Sequence, residues 1–336
     1  MKNAIKFYLP GFFTLVFALI LLVPGTSALA QKQRTMRYTT RSVKKADAWQ
    51  QDLRTKLSLL MKIDDLLANG KSIPLNPTEI RSENMTDYML KEIEFNSTAT
   101  RRIRVLVTFP LLSTGPWPAV VCLQGEDGKP GSVYDPALPD KAFADELARR
   151  NYVTIAPVVS QHEVFESGRT LMGERLWDAI RCLDYLETCI SVDPNRIGSA
   201  GLGLGGEMAM WLSAMDTRIK ATVSSGFLTR MDQLEQGHCM CWKFPGLRDL
   251  VDFADIYSMI APRPLLCQNG LKEPPTGFTE ELARAALKDI KVIYMNYSKP
   301  DNVVLIIHQG GQEIDLQSLL IFFKQQLRPI RISTDE

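Results

Sequence analysis

RIGSAGLGLGGEMA, running from Arg196 to Ala209, decides how this chain is read. As Gly201-x-Gly203-x-x-Gly206 it matches the glycine-rich turn that wraps a dinucleotide pyrophosphate. As a strand-to-helix turn of the pattern G-x-S-x-G, it is the seat of a nucleophile with glycine in place of serine. The first reading implies an oxidoreductase with a nicotinamide or flavin cofactor. The second implies a hydrolytic scaffold without its reactive hydroxyl.

The surrounding pattern separates the two. A dinucleotide turn opens its domain on the first strand and needs an acidic residue about 20 positions on, at the end of the next strand, to hold the ribose hydroxyls. This turn follows about four strand-like runs. The next strand ends in Val223-Ser224-Ser225-Gly226, and Asp216 comes too early. A nucleophile turn fits better. It belongs midway through the sheet, with the acid after a later strand and the histidine after the last one. Ser199 offers a second register, but it lies only three residues after Arg196, inside the strand.

Outward from this turn, short apolar strands alternate with amphipathic helices. Lys91 to Phe95 and Arg102 to Phe109 read as an antiparallel pair, and Ala119 to Leu123 as a buried strand. Later strands are expected at Val153–Val158, Ile197–Ala200, Ala221–Ser225, Pro264–Gln268 and Val303–Ile307, each separated from the next by helical spacing. The pattern predicts an α/β domain with a mostly parallel sheet, helices on both faces and antiparallel strands at the N-terminal edge. We place that domain at residues 86–330, preceded over 31–85 by a loose basic arm, a helix (Ala46 to Leu67) and a proline-punctuated extended run.

Residues 1–30 read as a cleavable secretory signal: Lys2 and Lys6, an apolar run from Phe12 to Val23, then Ala28-Leu29-Ala30. The expectation is a secreted or periplasmic protein with no stable membrane anchor. The full chain carries a net charge of +1, and losing those residues removes two lysines and no acid, leaving −1. Nothing in that balance attracts nucleic acid. Six cysteines could suggest disulfides. Cys122 and Cys267 sit in buried-strand runs, however, and Cys182 and Cys189 are about 10 Å apart on one helix. Cys239 and Cys241, beside His238, lack a second Cys/His cluster in the sequence, so the cysteines read as buried free thiols, with no metal and no cofactor.

From about Lys91 to Leu327 the chain resembles the dienelactone-hydrolase-like and acetyl-xylan-esterase-like α/β-hydrolases. The resemblance rests on three segments: DPNRIGSAGLGLGGEMAMWLSAMDTRIKATVSSGFL, GHCMCWKFPGLRDLVDFADIYSMIAPRPLL and IIHQGGQEIDLQSLLIFF. It implies an α/β-hydrolase fold and a carboxylic-ester hydrolase family. It puts the nucleophile position on Gly203, the acid on Glu273 (usually Asp), the histidine on Gln312 and the histidine of the HG loop on Gln124. Oxyanion-type backbone N–H groups fall at Leu204 and Gly125. Glycine cannot form an acyl-enzyme, and glutamine cannot carry a proton near neutral pH. The expectation is therefore an impaired enzyme that still binds an ester or acylated sugar. The alternative is a hydrolase using relocated residues, Ser225, His308 and Glu273, at neighbouring strand ends. His162 reads as a loop histidine, and His238 with Cys239 as a buried pair.

Overall fold

The computed structural model describes residues 34–327, apart from 41, 127 and 139–140. The signal-peptide reading of residues 1–30 lies outside the described residues. Helix α1 (Val43–Met61) is followed by α2 (Asp64–Asn69), then strands β1 (Thr78–Asn84), β2 (Tyr88–Asn96), β3 (Arg102–Pro110) and β4 (Trp117–Leu123). Alternation begins with α3 (Phe143–Ala148), β5 (Val153–Pro157), α4 (Leu171–Thr188), β6 (Val192–Leu202), α5 (Leu204–Met215) and β7 (Ile219–Ser225). Three short helices, α6 (Met231–Leu234), α7 (Leu247–Leu250) and α8 (Phe253–Ser258), precede β8 (Leu265–Gly270), α9 (Glu280–Asn296), β9 (Val303–His308) and α10 (Leu316–Gln326).

The nine strands form one sheet in the order β1-β2-β3-β5-β4-β6-β7-β8-β9. β1 to β3 and the β3–β5 junction are antiparallel, and the remaining pairs are parallel. Strand side chains alternate between faces with a period of two. On β4, Ala119, Val121 and Leu123 pack with the α4, α5, α8 and α9 side, while Val120 and Cys122 pack with α3 and α10. Both faces are therefore covered, which is why the parallel strands read as unbroken apolar runs.

Four expectations differ from the structure. A third antiparallel strand, β1, precedes the expected pair; all seven of its residues are exposed, so it carries no alternating apolar signal. The helix expected over 46–67 breaks at Lys62, which adopts a left-handed conformation (φ 57°). The helical spacing expected between Ala221–Ser225 and Pro264–Gln268 resolves into short helices, with Asp252 between α7 and α8 capping α8 by accepting from Phe253 N–H (2.7 Å). The arm is also not loose over its described part. Arg34 pairs with Asp255 (2.6 Å) and Asp252 (3.3 Å), and Met36 and Tyr38 are buried.

α4 is buried from Met172 to Leu186 because α1 packs on its outer side. Asp178 on this helix is 3% exposed and is held by Arg101 through two 2.8 Å hydrogen bonds. Among the described residues, no helix is long and apolar enough to cross a membrane.

Candidate functional site

Gly203 stands between β6 and α5, in the middle of the sheet, with φ +57° and ψ −118°. L-residues rarely occupy that region, and a nucleophile turn imposes it to lift its side chain clear of the sheet. The flanking glycines make the sharp turn possible. A Cβ on Gly201 would lie 2.1 Å from Gly205 O, one on Gly205 2.0 Å from Leu123 O, and one on Gly206 2.5 Å from Ser225 O. The turn is fixed by Gly203 N–H donating to Ser225 O (2.9 Å).

A Cβ built on Gly203 would meet Gln312 Nε2 at 3.1 Å. Positions 203 and 312 therefore face each other as a nucleophile and its base would. Glu273 is brought alongside by the loops after β8 and β9. Leu271 N–H donates to His308 O and Lys272 N–H to Gly310 O, both at 2.9 Å. Gly203, Gln312 and Glu273 line one cavity of about 320 Å³, together with Gln124, Gly125 and Leu204. Leu204 opens α5, so its N–H has no intrahelical acceptor. The three positions expected for a triad thus line one cavity, and one of them keeps an ionisable group.

The relocated set is not assembled. Ser225 Oγ donates to Gln268 Oε1 (2.5 Å) in a wholly buried position. His308 accepts from Gly310 N–H (3.3 Å) at Nδ1, which lies 3.9 Å from Glu313. Neither residue is part of the cavity lining. Ser224 donates to Gly206 O (2.9 Å) and contacts Tyr257 Oη (2.6 Å). Ser199 is buried against Ser213 (2.8 Å). The dinucleotide reading also lacks its acid, since β7 ends at these two bonded serines.

The cavity wall carries polar atoms without partners. Gln124 is 1% exposed and neither of its amide atoms has a hydrogen bond. Trp242 Nε1 and Glu273 Oε1 are likewise buried and unpaired. Each such atom costs about 1–3 kcal/mol unless a molecule in the cavity satisfies it. Burial raises the Glu273 carboxyl, against a backbone hydrogen bond from Phe278 and the charge of His238.

The sequence reading missed Glu207, which is 2% exposed on the first turn of α5 and lines the cavity. Its signal was its place four residues after Gly203, one helical turn on. Burial pushes its carboxyl up from 4.5 to about 7, against a hydrogen bond from Trp211 and the charge of Arg175 and assisted by Glu126. A raised carboxyl stabilises the fold fully below its unfolded value and loses that contribution as pH rises through its folded value. The thermal midpoint should therefore fall between about pH 4.5 and 7. Glu207→Gln, which keeps the neutral form, should flatten that slope in calorimetric scans.

His238 and Cys239 do not form a buried pair. His238 donates to Thr276 O (2.6 Å), and Cys239 is exposed. All six cysteines are free, as expected, but only Cys122, Cys182 and Cys267 are buried. His162, exposed in the loop after β5, instead lies near Cys239 and Cys241.

No family model matches the chain. YtaP of Bacillus subtilis (strain 168), which carries a hydrolase name, is 27% identical over 223 residues, 58% of this chain and 72% of its own. A Bacteroides fragilis NCTC 9343 structure carrying an acetyl xylan esterase name (BF1801) has a TM-score of 0.68 at 21% identity, covering 83% of this chain and 79% of that one. The methylesterase BT1017 has a TM-score of 0.69 at 20% identity, covering 86% of this chain and 65% of that one. With the strand order and the mid-sheet turn at Gly203, these likenesses establish that the chain has the α/β-hydrolase fold.

Proposed function

We propose that this protein is an exported, carbohydrate-esterase-like member of the α/β-hydrolase fold that has lost acyl-enzyme chemistry and binds an ester or acylated sugar without turning it over. One observation carries the reading: the backbone at Gly203 keeps the nucleophile conformation and would aim a Cβ to within 3.1 Å of Gln312 Nε2, yet neither position has a reactive group. The names of its hydrolase-like and esterase-like relatives support the substrate class, and the apolar run before Ala28-Leu29-Ala30 supports export. The unpaired Gln124, Trp242 and Glu273 atoms offer both donors and acceptors, which suits a hydroxyl- and carbonyl-rich ligand. The bonded, buried Ser225 weighs against the active-hydrolase alternative.

Calorimetric titration of the chain lacking residues 1–30 with acetylated xylo-oligosaccharides tests this, alongside chromatography for released acetate. Binding without acetate release is expected. Gln124→Ala should weaken binding about tenfold, the equivalent of one good hydrogen bond. Acetate release well above an albumin control would remove the proposal.

A further inference from the structure

The geometry points to a transition-metal site at the rim of the cavity, formed by His162, Cys239 and Cys241 and suited to Zn²⁺. One ring nitrogen and the two sulfurs all lie within 4.8 Å of one another. They come from two separate segments, the loop after β5 and a single helical turn at Met240–Trp242, which holds Cys241 and is capped by Cys239. A tetrahedral zinc ion, about 2.3 Å from sulfur and 2.0–2.1 Å from nitrogen, sets its ligand atoms roughly 3.5–3.8 Å apart. Closing the present spacing therefore takes at most about 1.3 Å, within reach of side chains on loops.

One donor already points at a sulfur. Cys241 N–H donates to Cys239 Sγ at 3.4 Å. Behind them lies the wholly buried Arg175, whose Nη1 has no hydrogen-bond partner. Outer donors of this kind orient sulfur ligands and tune the ion they hold. Soft sulfur with imidazole selects zinc or a related ion over magnesium or calcium. Three protein ligands leave a fourth position for water. Cys239 and Cys241 both line the cavity, so that position can also take an oxygen of a molecule bound there.

The test is titration of the reduced, metal-stripped chain with Co²⁺, followed by displacement with Zn²⁺. The expected result is a thiolate-to-cobalt charge-transfer band that saturates at one ion per chain and is abolished by Zn²⁺. His162→Ala, Cys239→Ser and Cys241→Ser should each lower affinity by more than about 100-fold, beyond the 10–100-fold of an outer-shell change. Cys189→Ser should leave it unchanged. Because His162 and Cys239 are exposed, their variants keep the fold and carry the test even if Cys241→Ser does not. No band in the wild type, an unchanged band in Cys239→Ser/Cys241→Ser, or wild-type affinity in His162→Ala would overturn the proposal.

Discussion

Gly203→Ser combined with Gln312→His gains ester hydrolysis, with kcat for p-nitrophenyl acetate about 10²–10³-fold above wild type. Backbone oxyanion donors and binding alone leave roughly 10³–10⁴-fold catalysis over water when a triad is removed, and an intact triad adds several further orders. Rebuilding two of its members beside Glu273 should recover part of that. The geometry favours recovery because residue 203 already has the required backbone and faces position 312. Glu273 Oε1, buried and unpaired, is an acceptor for an imidazole N–H. Neither single change should help, since a serine without a base or a histidine without a nucleophile completes nothing. The serine carries a cost of about 1–3 kcal/mol for a side chain at positive φ, visible as a lower thermal midpoint. A double variant no faster than wild type would show that positions 203 and 312 do not cooperate.

Gly205→Ala destabilises the protein by about 4 kcal/mol or more, a loss that point changes reach only through severe clashes. The added Cβ would lie 2.0 Å from Leu123 O and 2.6 Å from Gln124 O, both backbone atoms at the end of β4. No rotamer change relieves a main-chain contact, so α5 must lift from the sheet or the Gln124 turn must move. Gly131→Ala, with nothing within 4 Å, should change stability by less than about 0.5 kcal/mol. Thermal unfolding of the two variants side by side checks both statements. Equal midpoints would mean that the close β4–α5 approach is not required.

The central parallel strands were legible because they are covered on both faces and therefore mostly apolar; β4 and β5 are examples. β1 was not, because it is exposed throughout and only its pairing with β2 defines it. The break at Lys62 escaped because a lysine, not a glycine, takes the left-handed turn there. At the site, positions 203, 273 and 312 came from the resemblance to the acetyl-xylan-esterase-like hydrolases, and the three residues line one cavity. Glu207 and Trp242 were not, because a buried polar residue and a core residue look alike in sequence until a cavity is seen beside them. The approach of His162 to Cys239 and Cys241 is a meeting of separate loops, which no local pattern encodes.

Intact-mass analysis after treatment with a serine-directed fluorophosphonate tests the central claim most directly. The account predicts no adduct on the wild-type chain and a single adduct at residue 203 in Gly203→Ser/Gln312→His. A stoichiometric adduct on the wild type, mapped to Ser225 or to any other cavity hydroxyl, would contradict it.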